Sequence, residues 1–204
     1  MILRAMIASI GSYLIGGFLG GALVARLKGV DLSKKGSGSI GTTNVLRTIG
    51  PWYAVATLIV DVGKGMAAVY LGRWTGIRGL DAACGLLAII GHNWPLLTAF
   101  RGGKGIATTL GTMIVMAPIA PLILVPLWAL IALPTGYVSL GSIIASSMFP
   151  FLAAALYRSR QDFWFLAAYA LLSAITTVYS HRENIKRLLS GTENNLWRPK
   201  KGKQ

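Results

Sequence analysis

Charged residues are scarce in this chain of 204 residues. Only 13% of the residues are charged, against about 25% in soluble domains, whereas 54% are apolar and the mean hydropathy is +0.61. This balance excludes an ordinary soluble domain. It predicts an all-α polytopic protein that is integral to a membrane.

Cysteine and histidine are too few to predict a disulfide or a metal centre. Cys84 is the single cysteine and lies within an apolar run, so it has no partner for an intramolecular disulfide. A metal site would need carboxylate or thiolate ligands clustered with the two histidines, His92 and His181. We therefore expect neither a metal nor a cofactor.

Acidic residues are also few, since 6 Asp and Glu stand against 20 Lys and Arg and leave a net charge of +14. On a water-soluble fold, a basic stripe of that strength would suggest nucleic acid. Here the basic residues form short clusters between long uncharged runs. We therefore expect a lipid bilayer and no nucleic acid as partner, and the clusters become markers of membrane topology.

The first uncharged run, Ala5 to Ala25, has the length of about 20 residues that a helix needs to cross the hydrocarbon core. It is too long for the core of a signal peptide, so it is predicted to be a retained span. Arg4 alone precedes it, whereas several cations follow, which places the N-terminus outside and the next loop in the cytoplasm. The cations that follow are Arg26, Lys28, Lys34 and Lys35.

The first two runs carry features that we expect to face neighbouring helices. In the second run, Pro51 to Gly72, Asp61 and Lys64 are spaced i,i+3 and share a helix face. An intramembrane charge pair is either functional or a structural pair inside the bundle, and the spacing favours neither. The first run has two overlapping GxxxG pairs, which predict close helix packing. These pairs are Gly16 with Gly20 and Gly17 with Gly21.

The number of spans depends on one uncharged stretch, Gly105 to Tyr157, which prolines interrupt near 118–121 and again at Pro134. If the part before Pro134 is one helix, the chain has six spans; if it is a broken pair, the chain has seven. The positive-inside rule favours seven, some of them short, with the C-terminus in the cytoplasm. The first piece, Gly105 to Ala117, would then be too short to cross alone, so the loop before it should lie below the membrane surface.

Polar residues gather in three clusters, each on a proposed cytoplasmic connection. The first, GSGSIGTTNVLR, spans Gly36 to Arg47 and contains the pattern GxGxxG. A dinucleotide site would need a preceding strand in a soluble βαβ unit, and a Walker A loop would need a lysine where Thr42 stands. A glycine-rich backbone can still form a nest for an anion, with Arg47 as a fork for phosphate oxygens. A flexible Gly/Ser linker is the alternative.

The second cluster, GHNWPLLTAFRGGKGIATT, spans Gly91 to Thr109. Lys104 lies among three glycines just before the predicted short helix, so free N–H groups and the positive end of that helix predict a second anion site. A positive-inside loop would explain Arg101 and Lys104 but not the glycines around the lysine.

The third cluster, HRENIKRLLSGTE, spans His181 to Glu193 and predicts an amphipathic helix at the interface. His181 and Asn184 are spaced i,i+3, share a face, and are assigned to the site. The cations Arg182, Lys186 and Arg187 are assigned to anionic lipid head groups.

The segments GSGSIGTTNVLR, DVGKG, GHNWPLLTAFRGGKG and HRENIKRL together resemble the bacterial glycerol-3-phosphate acyltransferases that use acyl phosphate, the PlsY-type family. The resemblance covers roughly residues 1–193, taken as a single membrane-embedded domain, and leaves 194–204 as a basic tail. Ser39 stands where asparagine is more usual in that family, and Thr42 where alanine is common.

The resemblance implies transfer of a long-chain acyl group from acyl phosphate to the 1-hydroxyl of sn-glycerol 3-phosphate, at the cytoplasmic face of a bacterial inner membrane. The products would be lysophosphatidic acid and inorganic phosphate. Residues assigned to catalysis are Ser37, Arg47, Lys104, His181 and Asn184. Residues assigned to substrate phosphate are Gly36, Gly38, Ser39, Gly41, Thr42, Thr43, Asn44, His92, Gly102 and Gly103.

An acyl phosphate is an activated mixed anhydride, so the implied reaction demands no covalent nucleophile and no metal, and positioning and electrostatic clamping should dominate. The pattern of the other large acyltransferase class, a histidine with an aspartate after four intervening residues, is absent because Leu97 and Lys186 occupy those positions. The alternative is a transporter of small phosphorylated solutes, which predicts internal repeats and midplane sites. The sequence has no internal repeat, and its clusters map to one side.

Overall fold

Ten α-helices and no β-strand occur in residues 1–197, the part of the chain that this computed structural model describes. The helices are α1 (Ile2–Gly17), α2 (Gly20–Leu27), α3 (Thr42–Thr48), α4 (Pro51–Trp74), α5 (Leu80–Asn93), α6 (Ile106–Met116), α7 (Ile119–Thr135), α8 (Val138–Tyr157), α9 (Phe163–Ser180) and α10 (Arg182–Leu189). A single 3-10 turn, Leu96–Thr98, follows α5. The prediction of an all-helical chain is confirmed for the described residues.

Five apolar stretches are long enough to cross a membrane, and two shorter apolar helices, α6 and α7, lie between them. The long stretches are Ile2–Leu27, Pro51–Trp74, Leu80–Thr98, Val138–Tyr157 and Phe163–Ser180. Tyr169, Phe149 and Ile89 are among the largest fully buried side chains and pack the core that α4 to α9 share. The chain is therefore a multi-pass helical bundle.

The first predicted span is not one continuous helix. Phe18 and Leu19 have extended backbone, with ψ angles of 105° and 110°, and separate α1 from α2. The break frees the carbonyl oxygen of Phe18, and Lys64 Nζ donates a hydrogen bond to it across 2.8 Å. A carbonyl without a donor is costly in a membrane interior, so this break depends on a polar partner from α4.

Glycines bring the helices into backbone contact. A Cβ at Gly16 would lie 2.2 Å from the carbonyl oxygen of Ala88 in α5, and a Cβ at Gly65 would lie 2.2 Å from that of Thr108 in α6. Any side chain at either position would collide with backbone. The close packing predicted from the GxxxG pairs is confirmed at Gly16.

The long uncharged stretch folds as three helices. The part before Pro134 therefore forms two helices rather than one, in agreement with the predicted interruption. The break falls at Ala117 and Pro118, between α6 and α7. Pro121 lies within the first turn of α7, where a missing N–H needs no helical partner. Gly136, with φ 73°, ends α7 in the left-handed conformation.

The start of α6 lies deep alongside α4. The two helices run in the same direction, because Gly65 contacts Thr108 and Arg73, near the end of α4, donates to the carbonyl of Val115 near the end of α6. At 1.5 Å per residue, Gly65 is about 21 Å beyond the first residue of α4, whereas Thr108 is only one turn into α6. The start of α6 therefore lies roughly 18 Å inward from the first residue of α4, which agrees with the sunken loop that the short first piece predicted.

The connecting segments meet at two ends of the bundle. At one end, Arg47 of α3 contacts the segment after α10, and the loop that carries Lys104 contacts α10 itself. At the other end, Arg160 Nη1 donates to the carbonyl of Met116 across 2.6 Å, and Arg73 Nη2 to that of Val115 across 3.0 Å. The three polar clusters thus share one end, and the turns after α4, α6 and α8 share the other.

The start of the predicted basic tail packs against the turn between α7 and α8. The Leu196 N–H donates to the carbonyl of Gly136, and Trp197 Nε1 donates to that of Leu133 across 2.7 Å. The tail cations Arg198, Lys200, Lys201 and Lys203 lie outside the described residues.

Candidate active site

Asn44 holds the first polar loop together from inside. Its Nδ2 donates to the carbonyls of Leu32, Lys35 and Ser39 at 3.2, 3.0 and 2.8 Å, and its Oδ1 accepts from the Ser37 N–H at 2.9 Å. The side chain is only 2% exposed. Loop backbone occupies both the donor and the acceptor of this amide. Asn44 therefore shapes the predicted anion nest and does not line it.

The glycines of this loop have structural reasons to be glycines. Gly36 has φ 59° and Gly38 has φ 74°, both left-handed. A Cβ at Gly36 would also lie 2.1 Å from Asn44 Oδ1. The loop is therefore a defined turn and not the flexible linker that the sequence left open.

Hydroxyl groups and a helix start complete the first cluster. Gly41 precedes α3, and its N–H lies 3.4 Å from the Ser39 hydroxyl oxygen. Thr42 Oγ1 is buried and has no hydrogen-bond partner among residues 1–197, and Thr43 is half-buried beside it. The loop leads directly into α3, which carries Arg47 toward the other two clusters.

The second loop, Arg101 to Gly105, lies flat against the end of α5. The Gly103 N–H donates to the His92 carbonyl across 3.0 Å. A Cβ at Gly102 would lie 2.1 Å from that carbonyl oxygen, and a Cβ at Gly103 would lie 2.0 Å from His92 Nε2. Close packing on His92 therefore accounts for the first two of the three glycines around Lys104. The third, Gly105, has φ 75° and is the N-cap residue that precedes α6.

Lys104 is joined to the third cluster by hydrogen bonds. Its Nζ donates to Asn184 Oδ1 across 2.5 Å, and Asn184 Nδ2 donates to Glu193 Oε1 across 2.7 Å. Arg187 Nε donates to Glu193 Oε2 across 2.8 Å, and the Ser139 hydroxyl donates to Oε1 across 3.0 Å. Glu193 is thus the carboxylate around which α8, α10 and the Lys104 loop meet.

Arg47 faces the same group of charges. Its Nη2 lies 3.4 Å from the carbonyl oxygen of Asn194, and its Nε is buried without a hydrogen-bond partner among the described residues. Arg187 and Glu193 both act on it electrostatically. A guanidinium with an unused donor beside two further cations is poised for an anionic ligand.

The charged states of this group follow from burial. Burial is the main cause that lowers the pKa of the Lys104 ammonium; Glu193 opposes it, Arg187 and Arg47 add to it, and the resulting pKa is about 8. Burial alone would raise the pKa of Glu193, but hydrogen bonds from Arg187, Asn184 and Ser139 hold it below its ordinary value. At neutral pH the group therefore carries three positive charges and one negative charge.

His181 is neutral in this setting. Burial, reinforced by the charge of Lys104, lowers the pKa of His181 to about 4. Its Nδ1 lies 2.9 Å from the carbonyl oxygen of Thr177, and a carbonyl only accepts, so the single ring proton is on Nδ1. The Nε2 atom is left as an acceptor for a hydroxyl.

Four of the five residues predicted for catalysis come together here: Arg47, Lys104, His181 and Asn184. The fifth, Ser37, stays in the first loop, and no hydrogen bond among residues 1–197 joins that loop to Lys104. His92 was predicted to contact phosphate, but its side chain is 3% exposed and lies behind the second loop.

Sequence reasoning missed three members of this group. Arg187 was assigned to lipid head groups, but it forms an ion pair with Glu193. The sequence signal for this role was its i,i+3 spacing from Asn184 on α10, which puts both residues on one face. Glu193 was counted in the third cluster without a role. Ser139 lies in an apolar run, and nothing in the sequence distinguishes it.

These features define a polytopic membrane protein with a buried cationic site at one end of its bundle. The family model described as glycerol-3-phosphate acyltransferase matches residues 6–191, and the chain belongs to that family.

Curated relatives match over nearly the whole chain. The glycerol-3-phosphate acyltransferase of Desulforudis audaxviator is 45% identical over 192 residues, covering 93% of this chain and 95% of the relative. That of Symbiobacterium thermophilum is 44% identical over 186 residues, covering 90% of each.

Solved structures share the fold. A crystal structure of PlsY, described as an integral membrane glycerol 3-phosphate acyltransferase in its glycerol 3-phosphate form, matches with a TM-score of 0.86 at 36% identity over 94% of both chains. Its lysophosphatidic acid form matches with a TM-score of 0.84 over the same share.

Proposed function

We propose that the chain transfers a fatty acyl group from acyl phosphate to the 1-hydroxyl of sn-glycerol 3-phosphate, giving lysophosphatidic acid and inorganic phosphate. One observation carries the assignment of the acceptor site. Arg47, Lys104 and Arg187 place three positive charges around a single carboxylate, and the neighbouring His181 is neutral. The surplus of two charges matches a phosphate monoester, which carries about −1.5 to −2 at pH 7.

The reaction requires the acceptor hydroxyl and the carbonyl of the acyl phosphate to be held in line. The 1-hydroxyl oxygen attacks the carbonyl carbon of the acyl phosphate, the bond from that carbon to the phosphate oxygen breaks, and the hydroxyl proton passes to the departing phosphate. That phosphate is itself a base, with a second pKa of about 6 judged from phosphoesters. Neutral His181 offers Nε2 to orient the acceptor hydroxyl, and the Lys104 loop and the first loop hold phosphate groups.

An apolar groove offers room for part of the acyl chain. It has a volume of about 260 Å³ and runs between α2, the first loop and the turn at 98–101. Its apolar walls are Ala22, Ala25, Val30, Leu32 and Ile40. Leu32 and Ile40 flank the segment that contains Ser37, so a chain in the groove would place its phosphate near the first loop.

The contacts at the two ends support seven crossings of a bacterial inner membrane. The site is then on the cytoplasmic face, and the N-terminus is outside. Ten of the described Lys and Arg residues belong to segments at the site end, five to the other end, and Lys64 lies between them. The positive-inside rule places the richer end in the cytoplasm.

The assay is phosphate release by the purified protein from palmitoyl phosphate, with and without glycerol 3-phosphate. We expect release only when both substrates are present, and much slower release from a folded Lys104→Ala protein. Comparable acylation from acyl-CoA, with acyl phosphate excluded, would overturn the assignment of acyl phosphate as the donor. Uptake of glycerol 3-phosphate into protein-loaded vesicles without phosphate release would indicate the transporter instead.

A further inference from the structure

Three ionisable side chains meet inside the bundle, behind the Lys104 loop. They are Asp61 and Lys64 of α4 and His92 of α5, which are 1%, 6% and 3% exposed. Ionisable groups at such depth are expensive, and they persist where they are paired and serve a purpose. No contact of this group reaches the Arg47 and Glu193 charges among the described residues, so it is distinct from the substrate site.

The Lys64 ammonium forms an ion pair with Asp61 and hydrogen bonds with two further acceptors. Its Nζ lies 2.8 Å from Asp61 Oδ1, 2.8 Å from the Phe18 carbonyl oxygen and 2.7 Å from His92 Nδ1. An ammonium only donates, so His92 Nδ1 accepts and the ring proton is on Nε2. Lys64 thereby joins the break between α1 and α2 to both α4 and α5.

His92 connects Asp61 and Lys64 to the loop that contains Lys104. The Gly103 N–H donates to the His92 carbonyl across 3.0 Å, and a Cβ at Gly103 would lie 2.0 Å from His92 Nε2. The Thr108 hydroxyl, in the first turn of α6, lies 3.3 Å from His92 Nδ1. The imidazole is therefore the surface on which Gly102 and Gly103 rest, immediately before Lys104.

We propose that Asp61, Lys64 and His92 form a positioning unit that sets the Gly102–Lys104 backbone, and through it the Lys104 ammonium. None of the three touches substrate in this arrangement. Asp61 pairs with the Lys64 ammonium, Lys64 fixes the rotamer and tautomer of His92, and His92 supports the loop from behind. The inference rests on the proposed function only for the identity of the anion that Lys104 meets.

The first test measures amide hydrogen exchange of the 99–105 segment in the ligand-free protein. Lys64→Met keeps the length of the side chain and removes its donors. We expect exchange at Gly103 to accelerate roughly tenfold to a hundredfold, the effect of losing a hydrogen bond to a charged group on local opening. The matched control is Thr57→Val, because Thr57 is fully buried two turns earlier on α4 and bonds only its own helix.

A lone Asp61 carboxylate could prevent Lys64→Met from folding, so the double variant Asp61→Asn/Lys64→Met removes both charges together. It still lacks the donors to Phe18 and His92, so the loop should still exchange faster. Loop exchange equal to that of Thr57→Val in the folded double variant would overturn the proposal.

The second test is kinetic. A Cβ at Gly103 collides with the imidazole, so Gly103→Ala should raise the KM for glycerol 3-phosphate at least tenfold with His92 present and add little in a His92→Ala background. Additive effects of the two changes would count against the unit. Should the wild type show no acyl transfer while the exchange results hold, the proposed function fails and the positioning unit stands.

Discussion

Lys104 Nζ lies 2.5 Å from Asn184 Oδ1, and this contact joins the loop before α6 to a helix eighty positions further along the chain. Asn184 in turn donates a hydrogen bond to Glu193, which also accepts hydrogen bonds from Arg187 and Ser139. One carboxylate therefore orders the cations of the proposed acceptor site.

Removal of a phosphate-facing cation should nearly abolish turnover. Losing one partner of a buried charge typically costs about 2–5 kcal/mol, so Arg47→Ala or Lys104→Ala should lower kcat/KM between roughly thirtyfold and several thousandfold. Arg47→Lys should rescue poorly, because a point charge cannot reproduce the guanidinium fork. Arg182→Ala is the control, since that cation is exposed on α10. Near-normal kinetics in a well-folded Lys104→Ala enzyme would remove Lys104 from the site.

Activity should fall on the alkaline side of pH 8. Lys104 is charged below its pKa of about 8 and loses its proton above it, so kcat/KM for glycerol 3-phosphate should decrease about tenfold per pH unit beyond that point. Lys104→Arg, which stays charged, should move the decline to higher pH even where its rate is low. A profile flat to pH 9.5 in the wild type would contradict the assignment.

Glu193 should set the position of that alkaline limb. Its negative charge supports the protonated form of Lys104, so Glu193→Gln should shift the decline to lower pH. Glu193→Ala should also lower thermal stability, because it leaves Arg187, Asn184 and Ser139 without their acceptor. Glu183→Gln, at an exposed pair with Lys186, is the matched control and should change neither quantity.

His181 should prove dispensable as a general base. The pKa of about 4 keeps it neutral across the working range, so kcat should show no limb near pH 6.5 from this residue. His181→Gln retains hydrogen-bonding capacity and should keep substantial activity with a raised KM. Loss of kcat beyond a thousandfold in His181→Gln or His92→Gln, with substrate binding intact, would identify that histidine as the base.

Topology can be tested by labelling single cysteines in a Cys84→Ser background, since Cys84 is fully buried. Ser37, Arg101 and Ser190 should label from the cytoplasm, and Arg158 from outside. Arg101 is the better choice in the second loop, because a side chain at Gly103 would collide with His92. Labelling of Ser190 from the outside with Ser37 inside would support six spans and separate the clusters.

Much of the architecture was predictable because it follows from local composition. Apolar runs located α4 and the stretch of α6 to α8, and the prolines near 118 correctly divided that stretch. The break at Phe18 was not predictable, because both Phe18 and Leu19 are ordinary helix residues and the break depends on Lys64 from another helix.

The sequence by itself determined the membrane class, the three polar clusters and four of the residues that meet at the site, since glycines, cations and a histidine stand out against apolar runs. Only the tertiary structure decided which of them touch. Asn44 turns inward to hold loop backbone and His92 turns inward to Lys64, whereas Arg187, Glu193 and Ser139 join the site from α10, the segment beyond it and α8. Hydrogen bonds and ion pairs between residues distant in sequence depend on helix packing, which local pattern does not encode.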